Sequence, residues 1–172
     1  ALAETSPMPR VVPGGERKQV TVLFAEIAEA LALIRDLDAE AAQELLDPAL
    51  HAMLEAVSRY EGTVTQVRGS GAMAVFGAPR TQEDHAARAC YAALTLQAAL
   101  RAYAEYLRRV HGVVLRCRIG LHTGDVVVRP LPPGLPMEYT ALGLTTDLAV
   151  CVAQGAPPDT ILLTPTTVDL VA

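Results

Sequence analysis

The run Thr63-Val-Thr-Gln-Val-Arg-Gly-Ser-Gly-Ala-Met-Ala-Val-Phe-Gly77 constrains this chain more than any other stretch. Thr63–Val67 and Ala72–Phe76 are β-rich, and the Gly69-Ser70-Gly71 interruption supplies a tight turn, so the pair predicts an antiparallel hairpin. Val20–Ile27 is β-rich and partly apolar at both parities, which suits a central strand buried on both faces. Glu26 stands at its exit.

Helical periodicity fills the space between these strands. From Asp38 to Tyr60 apolar residues recur at helical spacing, and Asp47-Pro48 predicts a break and a fresh helix start, hence two helical pieces. Glu83–Val110 reads as a long Ala-rich amphipathic helix that Gly112 terminates, its Ala, Leu and Tyr stripe from Ala86 to Tyr106 forming a core or dimer face. Val113–Ile119 and Gly124–Val128 are expected as strands joined through Gly120-Leu-His-Thr123. Pro130–Pro136 is too proline-rich for a strand interior and predicts a surface loop. Short elements follow: a strand at Tyr139–Leu142, a helix at Thr145–Gln154, a strand at Thr160–Leu163 and a last helix after Thr164-Pro165. The order lacks the strict βα alternation of a wholly parallel sheet. It predicts an α+β sandwich of the ferredoxin-like βαββαβ kind, with helices on one face of a mainly antiparallel sheet.

At 172 residues and 51% hydrophobic content the chain has the material for one domain, expected over 16–172. Residues 1–15, rich in Pro and Gly, predict a flexible leader or linker. The net charge of −5, with basic residues scattered singly, gives no footprint for nucleic acid or an anionic membrane. No apolar run reaches the ~20 residues of a membrane span. Cys90, Cys117 and Cys151 are far apart in sequence and have no C-x-x-C spacing, so neither a disulfide framework nor a zinc site is expected, and a cytoplasmic location fits. Lys18 is the only lysine against thirteen arginines.

Five pieces in register carry a family resemblance: Val20–Ile27, Gly69–Gly77, Glu83-Asp-His-Ala86, Arg118–Gly124, and Tyr139–Gly143 with Leu148-Ala149. Together they resemble the class III adenylate and guanylate cyclase catalytic domain, in the family's order from about Glu16 to Leu170. The resemblance implies a dimer whose sites lie across the subunit interface. In it, two aspartates hold two Mg²⁺ ions, and an asparagine and an arginine of the partner steady the ribose and the transition-state charge.

Carried onto this chain, the resemblance places the family's two metal aspartates on Glu26 and Ser70. Glu26 keeps the charge with one more methylene, whereas Ser70 is a neutral hydroxyl, a poor replacement for a carboxylate on a hard cation. Beside Glu26 in the same motif is Ile27. The triphosphate-cradling glycine falls on Glu29 and the aromatic after it on Ala30. The base-recognising lysine falls on Gln66 and the second specificity position on Thr140. The asparagine falls on Asp147 and the arginine on Cys151. The chain thus departs from both halves of a shared site.

The expectation is therefore a degenerate cyclase homology domain of a bacterial signalling protein, with little or no turnover. It would act as a regulatory module, as a homodimer or as a heterodimer with another cyclase domain, truncated from a longer chain. No cofactor is expected, with Mg²⁺ or Mn²⁺ required for any residual activity. The alternatives are a divergent cyclase making a cyclic nucleotide and pyrophosphate from ATP or GTP, and a nucleotide-binding sensor without turnover. A remodelled single-ion site at Glu26 and Asp147 is a weaker expectation. His85 and His122 are expected to cap or pack, His51 and His111 to lie on helix surfaces, and Cys151 to be unreactive, having no histidine near in sequence to activate it.

Overall fold

A computed structural model describes residues 15–68, 70–135 and 139–172. All but the last residue of the expected leader, the turn residue Gly69, and the end of the proline-rich loop lie outside the described residues. Six strands and five helices follow in the order β1 (Glu16–Ile27), α1 (Ala30–Ile34), α2 (Ala39–Arg59), β2 (Thr63–Arg68), β3 (Gly71–Phe76), α3 (His85–His111), β4 (Cys117–Pro130), β5 (Tyr139–Leu142), α4 (Leu144–Gly155), β6 (Thr160–Leu163) and α5 (Pro165–Val171). The sheet runs β2-β3-β1-β4-β5, antiparallel throughout, and β6 joins β4 in parallel. The α+β sandwich with its βαββαβ core is thus as expected.

Alternation along β1 sets two cores. Leu23, Ala25 and Ile27 enter a layer with Met53, Ala56, Val57, Ala89, Ala93 and Leu96 of α2 and α3. Val20, Val22 and Phe24 point the other way, into a smaller layer with Met73, Val75, Val126, Ala149 and Ala153. Helices therefore cover both faces: α2 and α3 lie on one, α4 on the other. This corrects the expected one-sided arrangement, and its cause is the two-faced burial of β1.

Two boundaries differ from the sequence reading. Helix α2 runs unbroken through Pro48. The ring removes one backbone hydrogen bond, but Leu46, Ala49, Met53, Ala56 and Val57 on its buried face hold the helix together across that gap. The expected pair of strands around Gly120–Thr123 is a single fourteen-residue strand, β4, pairing with β1 without interruption from Cys117 to Val128. Gly120 is not a turn residue. It lies under α4, where a Cβ would meet the backbone of Ala149 and Ala153. Helix α3 ends as expected, with Gly112 left-handed at φ 65° and its N–H donating to the Arg108 carbonyl. No helix among the described residues is long and apolar enough to cross a membrane.

Candidate functional site

Strand pairing brings Glu26 and Ser70 together. In the β1–β3 ladder Glu26 faces Gly71, and the Ile27 N–H donates to the Ser70 carbonyl at 2.7 Å. Gly71 is required for this approach, because a Cβ there would lie 3.0 Å from Glu26 Cα. On its other side Glu26 faces Arg118 of β4. Directly opposed residues project to the same side of a sheet, so Glu26 and Arg118 share a face, and Glu26 has the parity of Phe24 on the α4 side. Arg118 was not among the candidate residues, although its motif was. Its Nε is buried without a hydrogen-bond partner among the described residues. Only the cross-strand register exposes its relation to Glu26.

Immediately after β1, Glu29 adopts the left-handed conformation, φ 55° and ψ 36°, and is exposed at the start of the short α1. A glycine meets that geometry without steric cost, whereas a glutamate carries the Cβ penalty. Glu29 and Arg116 line an open cleft with Ala28, Leu33, Val114 and Pro158.

Gln66 is half-buried on β2 opposite Met73, next to a register shift between Val64 and Gln66. Thr140 is half-buried on β5 opposite Arg129. The outer strands β2 and β5 approach each other to within 8 Å between Cα atoms, so the sheet curls the two candidate specificity strands toward one another. Asp147 and Cys151 lie one turn apart on α4, both exposed, while Thr145, Thr146, Ala149 and Ala153 take the buried side. They form an outward face and not part of the chain's own interior.

The donor chemistry does not fit two hard divalent cations. Glu26 supplies one carboxylate and Ser70 a neutral oxygen, and no group of three His, Cys, Asp or Glu side chains among the described residues is placed to hold a metal. Cys117, next to this region in β4, is no nucleophile: burial and then the nearby Asp159 carboxylate push its thiol up to about 12. The histidines pack, as expected, with Nδ1 of His85 2.8 Å from Thr21 Oγ1 and Nδ1 of His122 2.9 Å from Thr164 Oγ1.

The fold is that of a nucleotidyl-cyclase type of domain. The chain belongs to the family described as the adenylate and guanylate cyclase catalytic domain, which it matches over residues 12–172. It is 29% identical over 133 residues to adenylate cyclase 1 of Rhizobium meliloti, covering 77% of this chain and 20% of that protein. The chain thus spans about a fifth of that relative's length. Among solved structures it resembles the guanylyl cyclase Cya2 with a TM-score of 0.84 and 26% identity, covering 92% of this chain and 81% of that one. The adenylyl cyclase CyaB from P. aeruginosa is similar at a TM-score of 0.83 and 28% identity, covering 91% and 82%.

Proposed function

We propose that this chain is a cyclase homology domain with little or no turnover, which dimerises and serves as a regulatory module of a larger bacterial signalling protein. One observation carries the reading: Glu26 and Ser70, onto which the resemblance carries the family's metal carboxylates, are adjacent where β1 meets the turn into β3, and Ser70 offers only a hydroxyl. The position of the triphosphate-cradling glycine is Glu29, whose carboxylate repels phosphate and whose backbone is already left-handed. Asp147 and Cys151 stand where asparagine and arginine are expected. Loss of a single preorganised group of this kind costs ~10²–10³ in rate, so the combined departures leave little catalysis. Dimerisation is supported by the outward face of α4, where Leu144 is 71% and Leu148 39% exposed beside Asp147 and Cys151.

A second reading, nucleotide binding without turnover, draws on Arg118, whose buried Nε lacks a partner among the described residues and offers a donor to an anionic ligand beside Glu26. Calorimetric titration with a non-hydrolysable ATP or GTP analogue in Mn²⁺, followed by a product assay, separates the readings. The regulatory scaffold gives neither heat nor cyclic nucleotide. Heat alone establishes the sensor, and product at an ordinary enzymatic rate overturns both. A companion variant combines Glu26→Asp, Glu29→Gly, Ser70→Asp, Gln66→Lys, Asp147→Asn and Cys151→Arg. It is expected to gain nucleotide binding, and a folded, dimeric variant that still ignores nucleotide shows these site assignments to be wrong.

A further inference from the structure

Away from the candidate site, the start of α2 and the end of α3 face one another across an apolar cleft. Ala41, Leu45 and Pro48 recur at the spacing of one helix face and, with Leu37, form one wall. Tyr103, Tyr106 and Leu107 form the other. The aromatic wall is fixed: the Tyr103 hydroxyl donates to the Leu45 carbonyl at 2.6 Å, the Tyr103 and Tyr106 rings stack with centroids 6.4 Å apart, and His111 stands edge-on to Tyr106. The cleft holds about 460 Å³, the size of a site for one small molecule.

What this cleft offers a ligand is a pair of acceptors on one residue. Pro48 has no N–H, so the Glu44 carbonyl one turn earlier lacks the backbone donor that a helix normally supplies. The Glu44 side chain adds the one carboxylate in the lining, and no ion pair among the described residues engages it. Arg108, on the opposite helix, is paired with Glu105 at 2.8 Å. Around Glu44 the charge is of one sign, since no lysine or arginine occurs between Asp36 and Ser58.

We infer that this cleft binds a small amphipathic amine, its apolar body against Leu37, Leu45 and Leu107 and its ammonium on the Glu44 carboxylate and the carbonyl that Pro48 leaves free. An ammonium brings three donors and a positive charge to a site made of acceptors, whereas an alcohol brings one donor and a carboxylate none. A carboxylate is also repelled by Glu44. Leu33 lines both this cleft and the one that holds Glu29 and Arg116, so an occupant bears on α1, which has no buried residue of its own. The site does not depend on whether the cyclase positions bind or turn over nucleotide.

The test is an amide NMR titration of the chain with phenethylamine, with phenethyl alcohol and hydrocinnamate as neutral and anionic compounds of similar shape. At about pH 7.5, where an alkylamine carries its charge, phenethylamine is expected to bind with a Kd of ~1 mM and to shift amides around Glu44 and Tyr106. The alcohol is expected to bind ~10-fold more weakly, and the anion more weakly still. Glu44→Gln is expected to remove the preference for amine over alcohol while leaving the alcohol's affinity unchanged. Pro48→Ala returns an N–H to the Glu44 carbonyl and is expected to weaken the amine by ~3-fold, a response that attraction to an acidic surface alone would not give. Glu44 and Pro48 are both exposed, so these variants keep the core intact. Asp47→Asn, beside the cleft but outside its lining, is the control and is expected to change affinity by less than ~2-fold. No shift at ~10 mM amine, equal affinity for amine and alcohol, or equal losses in Glu44→Gln and Asp47→Asn overturns the site, and an unchanged affinity in Pro48→Ala overturns the part assigned to the carbonyl.

Discussion

Gly120→Ala is the sharpest test of how this fold positions α4. A Cβ built on Gly120 would lie 2.8 Å from the Ala149 carbonyl oxygen and 2.8 Å from Ala153 Cα. Ordinary carbon contacts lie at ~3.5–4.0 Å, so α4 must retreat by roughly 1 Å or β4 must bend. Both obstacles are backbone and have no rotamer to escape into, which places the cost near the upper end of the overpacking range, ~3 kcal/mol. For a domain of this size that lowers Tm by ~6–12 °C. Gly155→Ala is the matched control: it ends the same helix, has nothing within 4 Å of a Cβ, and is expected to stabilise by up to ~1 kcal/mol through helix propensity. Urea unfolding measures both, a shifted midpoint at constant slope reporting stability. A loss below ~1 kcal/mol for Gly120→Ala, or an equal loss for Gly155→Ala, refutes the close-approach account.

Three further outcomes follow from the packing and the buried imidazoles. Leu96→Ala removes a fully buried side chain between α3 and the sheet and is expected to cost ~2–5 kcal/mol in the same urea assay. Asp38→Ala deletes the acceptor for the Ala41 N–H at 2.8 Å and is expected to cost ~1 kcal/mol, seen as lower thermal stability with the fold retained. Burial holds the His85 and His122 pKa values below the usual 6.5, so the unfolded chain binds protons first. Stability is therefore expected to be full above pH 6.5 and to fall as pH drops below it, down to the folded-state values, and unfolding midpoints at pH 7.5 and about pH 5.5 check the sign.

Much of the fold was legible because its signals are local. The β-rich runs of the hairpin, the apolar spacing of α3 and the left-handed Gly112 at its end all act within a few residues of where they are read. The errors share a different origin. Gly120 looks like a turn residue in sequence, yet it is small because Ala149 and Ala153 of α4 press on β4, a contact between residues about thirty positions apart. Pro48 looks like a helix break, but burial on one side of α2 outweighs one missing hydrogen bond. The sequence pattern put Glu26 at the exit of β1 and Ser70 in the hairpin turn, where the structure has them, whereas the placement of Arg118 opposite Glu26 depends on cross-strand register.

The positions proposed to depart from the family and the glycines that set the packing differ in what they touch. Gly71 and Gly120 admit no side chain without moving a neighbouring backbone, so substitution there is felt by the whole sheet. Ser70, Gln66 and Thr140 are only half-buried, and Glu29, Asp147 and Cys151 are exposed. Exchange at such places leaves the core intact and changes only what the surface can bind. A fold of this kind tolerates exchange at such surface positions more readily than loss of its helix-to-sheet spacing. Glu29 marks the boundary: its backbone is left-handed, and under the proposed reading its carboxylate opposes a phosphate, so Glu29→Gly is expected to relieve strain and charge at once. If that single change fails to raise stability, the loop has already relaxed to suit glutamate, and restoring the site would require rebuilding the loop as well as its side chains.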